Sequence, residues 1–130
     1  MQKNIQLTCQ QFDDKEEARA ALLAVQADPQ GAEIMAEKAV FKVIKLEAVP
    51  VRAANLLKQT FLAKGGDAAV SRATAAFAGE TTDVLLMGTL KVYRLAVAEM
   101  KRQPFGLRAM AEALENFLFR QDFSADKQNI

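Results

Sequence analysis

Val40-Phe-Lys-Val-Ile-Lys-Leu46 is the segment that most narrows what this chain can fold into. It is rich in β-branched and aromatic residues and is apolar on both faces, as suits a strand covered from two sides. Such a strand normally lies inside a sheet, so residues 40–46 are expected at its centre. The 130 residues leave room for one domain and none for a barrel of about 250 residues.

The neighbouring segments supply the rest of a layered α/β domain. Residues 5–12 alternate apolar and polar, with Ile5, Leu7 and Cys9 on one face, which reads as a half-buried strand. Asp13 and Asp14 precede Glu16 and Glu17 in capping-box spacing and start a helix with the stripe Ala18, Ala21, Leu22 and Val25. Asp28-Pro-Gln-Gly31 stops it, and residues 32–38 form at most a short helical turn. Pro50 suits the first turn of a second helix carrying Ala53, Leu56, Leu57, Thr60 and Phe61, which Gly65-Gly66 terminate. Residues 68–74 read as a weaker strand, followed by a small-residue loop over 75–80. Residues 83–88 read as a short buried strand. Thr89 then caps a helix with the stripe Leu90, Tyr93, Val97 and Met100. Gln103-Pro-Phe-Gly106 turns the chain into a last helix with Leu107, Met110, Leu114, Phe117 and Leu118.

The expected order is β-α-β-α-β-β-α-α: a single-sheet α/β (or α+β) sandwich of about four strands and four helices. It spans residues 1–121, with a polar tail over 122–130. Alternating strands and helices favour parallel pairs with right-handed crossovers, although the two strands flanking residues 75–82 could pair as an antiparallel hairpin.

Composition excludes more activities than it suggests. There is no histidine, so the usual general base and commonest metal ligand are missing. The one cysteine, Cys9, rules out an intrachain disulfide and a thiolate-cage zinc site. It lies on the apolar face of the first strand and reads as a buried small hydrophobe without a base to activate it. Neither a signal peptide nor an apolar run long enough to span a bilayer is visible, which points to a cytoplasmic protein. The net charge of +1 argues against nucleic-acid or membrane binding. It hides an asymmetry, however. Residues 1–37 carry seven acidic and three basic side chains, residues 38–108 carry five and twelve, and residues 109–130 carry four and two.

That basic middle segment is where an anionic small molecule would be sought. Met87-Gly88-Thr89 joins a strand to a helix, where a glycine admits close approach and the helix N-terminus favours negative charge. Gly65-Gly66-Asp67, with Arg72 nearby in sequence, is a second such place, and Thr81-Thr82 leading into a buried strand is a third. None has the spacing of a phosphate-binding loop or dinucleotide fingerprint, and turn chemistry with helix capping accounts for all three. Lys42 and Lys45 point to opposite faces of their strand. Either could meet a phosphate or an acid such as Asp83, or reach water at a strand end. If a ligand site exists, Lys42, Arg72, Thr81, Thr82, Gly88 and Thr89 are its candidates, and Arg72, Thr82 and Thr89 should converge on one concave surface. Asn55, Lys58 and Gln59 read as the solvated edge of their helix. No pair of carboxylates suits acid–base chemistry, so neither catalytic residues nor a cofactor or metal is expected.

From about residue 33 to 107 the wording becomes more specific. Lys38-Ala-Val-Phe-Lys-Val-Ile-Lys-Leu46, Ala53-Ala-Asn-Leu-Leu-Lys-Gln59, Gly65-Gly-Asp-Ala-Ala-Val-Ser-Arg72, Glu80-Thr-Thr-Asp-Val-Leu-Leu-Met-Gly-Thr89 and Gln103-Pro-Phe-Gly-Leu107 follow one another in order. They resemble the N-terminal extension that precedes the catalytic barrel in some bacterial dihydropteroate synthases, mainly from anaerobes. Residues 1–31 match only in pattern. In that family the pterin and p-aminobenzoate sites belong to the barrel, so no catalytic residue carries over. The resemblance implies a non-catalytic companion to a folate-pathway enzyme that docks to a pterin-binding barrel or to itself. The alternative is a sensor or carrier of an anionic metabolite or pterin.

Overall fold

The computed structural model describes residues 4–75 and 79–119. Its contacts divide between two compact units, Met1–Val40 and Phe41–Ile130. Residues 76–78 of the expected loop and the polar tail over 122–130 lie outside the described residues.

In the first unit, helix α1 (Lys15–Ala24) opens as the acidic pattern predicts. The Asp14 carboxylate accepts from the Glu17 amide at 2.9 Å, and Glu17 accepts from the Asp13 amide at 3.0 Å. Asp28-Pro-Gln-Gly31 does not merely stop the chain. Asp28 accepts from the Gly31 amide at 3.0 Å and Pro29 takes the first turn, so the quartet starts a full helix, α2 (Pro29–Ala39), where only a turn was expected. The two helices touch, with Ala18 on α1 and Ala32 and Ala36 on α2 fully buried. Lys15 and Arg19 reach Glu33 at 2.6 and 3.2 Å. Lys15 holds the Glu33 carboxyl below its usual range, although pairs this exposed stabilise little. The expected first strand does not form: residues 4–12 belong to no sheet, Ile5 and Leu7 are 82% and 87% exposed, and Cys9, expected to be buried, is exposed too.

The second unit runs β1 (Phe41–Pro50), α3 (Val51–Ala63), β2 (Asp67–Ala69), α4 (Arg72–Ala75), β3 (Thr81–Thr89), α5 (Leu90–Met100) and α6 (Leu107–Phe119). The described chain is thus α/β with three strands and six helices, not four of each. Strand order is β1-β3-β2 with both pairs antiparallel. β1 and β2 run parallel with β3 inserted between them. The antiparallel β2–β3 pairing matches the hairpin alternative, whereas no adjacent parallel strands occur among the described residues. β3, not residues 40–46, is the central strand. Residues 68–74, expected as a strand, divide into the three-residue β2 and the single-turn α4.

One face of the sheet packs on helices. Thr82, Val84, Leu86 and Gly88 of β3 are buried in strict alternation, and α3 and α5 contact this strand. Phe61 from α3 meets Tyr93 from α5 edge-on, ring centres 5.3 Å apart, and both are fully buried. The expected α5 stripe of Leu90, Tyr93, Val97 and Met100 is buried throughout. Along α6, Leu107, Leu114 and Leu118 are buried, but Phe117, expected in the stripe, is 63% exposed.

Candidate functional site

The residues singled out from sequence fall at two ends of β3. Thr82 and Thr89 are seven positions apart on one strand, about 23 Å at strand rise. They do not converge on one surface with Arg72. At the first end, the Thr82 hydroxyl accepts from the Ser71 amide at 3.2 Å and donates to the Asp83 carbonyl at 2.8 Å. Ser71 and Thr74 share a hydrogen bond at 2.8 Å, and the Asn55 amide donates to the Thr74 carbonyl at 2.9 Å. These polar groups tie the β2–α4 connection to α3 and β3. Asn55, read as part of a solvated edge, is half-buried and an anchor. Thr81 and Arg72 stand exposed beside them.

At the other end, Lys42 lies directly opposite Gly88 on the helix-covered face and is half-buried. Gly88 is required for packing: a Cβ there would come within 2.8 Å of the Val92 side chain. Thr89 caps α5, its hydroxyl accepting from the Val92 amide at 3.3 Å. The capping expectation for Gly88-Thr89 therefore describes what these residues do in the fold.

Asp83 does not meet Lys42. One extra residue on β1 between Leu46 and Val49 makes a bulge, with Ala48 at φ 54°, and Asp83 accepts from the Ala48 amide at 3.1 Å. Lys45, on the opposite face from Lys42 and more than half exposed, is 3.8 Å from the second Asp83 oxygen. Asp67 at the start of β2 accepts from the Ala68 amide and from Lys58 at 3.2 Å, and these donors hold its carboxyl below the usual range. Tyr93 is pushed well above the ordinary phenol range by burial.

A continuous surface emerges on the sheet face that the helices leave open. Residues opposite each other in an antiparallel pair share a face, so the register sets Phe41 beside Thr89, Val43 beside Met87 and Lys45 beside Leu85. The β2 register adds Asp67 next to Met87 and Ala69 next to Leu85. The centre of this face is apolar: Phe41 is 59%, Val43 55% and Leu85 39% exposed, and Met87 is half-buried. Its border is charged, with Lys45, Asp67 and Asp83 around the apolar strip. An apolar centre with a polar rim is the anatomy of a protein contact surface. Sequence reading missed these residues as a site, although the apolar character of residues 40–46 on both faces carried the signal. That character implies two layers of cover, and only one layer is present in this unit.

Among the described residues, no group of three or more His, Cys, Asp or Glu side chains is placed to hold a metal ion. No described helix is long and apolar enough to cross a membrane.

Against known proteins, a probable bifunctional folylpolyglutamate synthase/dihydropteroate synthase of Halobacterium salinarum is 31% identical over 106 residues. The match takes in 82% of this chain and 13% of that protein, so the chain spans a small part of its relative's length. The relative is archaeal, whereas the sequence resemblance pointed to bacterial synthases. No family model matches the chain, and no solved structure matches it. The chain is thus related in sequence to a segment of a folate-metabolism enzyme.

Proposed function

We propose that this chain is a non-catalytic accessory domain of folate metabolism, which docks to a pterin-handling dihydropteroate synthase through the open face of its sheet. The observation that carries this reading is the uncovered apolar strip of Phe41 and Val43 on β1 with Leu85 and Met87 on β3, where the sequence of β1 is built for cover on both sides. The similarity to part of a bifunctional folate enzyme supports the choice of partner. The arrangement offers contact area and charge complementarity: Lys45, Asp67 and Asp83 at the rim would orient a partner more than they would add affinity. The hydroxyls of Thr82, Ser71 and Thr74 are engaged with one another and with the backbone, so the anion-site alternative gains no support from that end of β3.

Calorimetric titration of the purified chain into dihydropteroate synthase, and separately into folylpolyglutamate synthase, from its own organism tests the reading. Saturable binding to the first is expected. Heat from neither titration, or binding confined to pterin or phosphate compounds added without an enzyme, would overturn it.

A further inference from the structure

Two features of this chain are incomplete in complementary ways. The sheet has two edges. One is β2, three residues long and hence a poor template for further pairing. The other is β1, ten residues long, with regular register over residues 41–46 and a hydrogen-bonded neighbour on one side only. Beside that edge runs an apolar groove of about 280 Å³ between β1 and α6. Ile44 and Leu46, alternate residues of the strand, form one wall, and Met110, Leu114 and Phe117, one face of the helix, form the other. A groove between an edge strand and a helix is suited to an added strand whose alternate side chains enter it.

The second feature is the segment over residues 4–12. It alternates Ile5, Leu7 and Cys9 with polar residues, carries no charge, and belongs to no sheet. Its apolar side chains are the most exposed of the large hydrophobics among the described residues, Ile5 at 82% and Leu7 at 87%. Alternate residues recur about every 6.6 Å along a strand, so Ile5 and Leu7 match the spacing of Ile44 and Leu46. Charge agrees with the pairing. The segment leads into Asp13 and Asp14 within a stretch of net −4, while β1 carries Lys42 and Lys45 against Glu47 within a stretch of net +7.

We infer that residues 5–12 of one molecule add as a fourth strand to the free edge of β1 in a second copy, with Ile5 and Leu7 seated in its β1–α6 groove. Reciprocal exchange closes the assembly as a two-fold dimer, each copy giving and receiving one strand. It pairs the long edge and covers Phe117. This assembly does not depend on the folate reading, because it uses the edge of the sheet and not the apolar centre of its open face, although Lys45 borders both.

Sedimentation of the full chain across concentration is expected to show a monomer–dimer equilibrium. Leu7→Glu changes an exposed side chain, so circular dichroism should be unchanged while dimerisation weakens about tenfold or more. Cys9, the chain's one cysteine, supplies the positional readout. Wild-type chain mixed with a Cys9→Ser/Lys45→Cys chain and treated with a short bismaleimide should give a covalent heterodimer. A chain that stays monomeric, a Leu7→Glu dimer as tight as wild type, or absence of the heterodimer would each overturn the inference. So would a link that forms only inside a chain bearing both Cys9 and Lys45→Cys.

Discussion

Tyr93 donates its hydroxyl proton to the main-chain carbonyl of Lys42 at 3.0 Å, tying helix α5 to strand β1 across 51 residues of sequence. The ring lies against Phe61 and is fully buried, so the hydroxyl satisfies a β1 carbonyl from within the core. This contact fixes the end of β1 that carries Phe41 and Val43 on the opposite face.

Burial raises the Tyr93 pKa in the folded chain above the phenol's ordinary value of 10.0. A group whose folded pKa is raised stabilises fully below its unfolded pKa and loses that contribution as pH rises toward the folded value. Above about pH 10 the unfolded chain therefore ionises at this position while the native one does not, and stability should fall by up to about 1.4 kcal/mol per pH unit from this group. Tyr93 is the only tyrosine and there is no tryptophan, so ultraviolet titration of the phenolate reads this residue alone. Tyr93→Phe should cost about 1 kcal/mol near neutrality and should remove this component of the alkaline loss in denaturant unfolding.

Gly66 and Gly88 both pack against the Val92 side chain. A Cβ at Gly66 would lie 2.5 Å from the Met87 carbonyl oxygen, which is backbone within the central strand, and at Gly88 it would lie 2.8 Å from Val92 Cγ1. Gly66→Ala should destabilise by about 2–3 kcal/mol, because the strand cannot yield. Gly88→Ala should cost less and should be partly rescued by Val92→Ala, since only a side chain must give way. Chemical denaturation of the two single variants and the double variant checks both statements.

Asp83 touches two groups of different worth. Its bond to the Ala48 amide holds the bulge, whereas the ion pair with Lys45 is 3.8 Å long and exposed on both sides. Asp83→Ala should therefore cost about 1 kcal/mol, and Lys45→Ala a few tenths at most. Equal losses from the two would mean that the ion pair, not the bulge, is what Asp83 stabilises.

Sequence patterns located elements far better than they located neighbours. Thr89, the α5 stripe and the Gly65-Gly66 stop were legible because caps, periodicity and glycine conformations act within a few residues. α2 was obscured because Asp28-Pro-Gln-Gly31 contains two residues that break helices in the middle and open them at the N-terminus. The place of residues 40–46 in the sheet depends on partners 38 or more positions away, and strand pairing over such distances leaves little local trace. The alternation in residues 5–12 is real, yet within this chain's sheet it meets no partner strand. For the same reason the Asn55–Thr74 bond left no local trace, and the face of Phe41, Val43 and Leu85 was legible as apolar but not as uncovered. Both arise from which elements pack together.

The decisive measurement is the affinity of wild-type chain and a Leu85→Glu variant for dihydropteroate synthase from the same organism. Leu85 lies near the centre of the open face, and its side chain leaves the helix-covered core untouched. Saturable binding by the wild type, weakened about tenfold or more by Leu85→Glu with the fold intact, is the predicted result. Absence of binding, or equal affinity for both chains, would contradict the account.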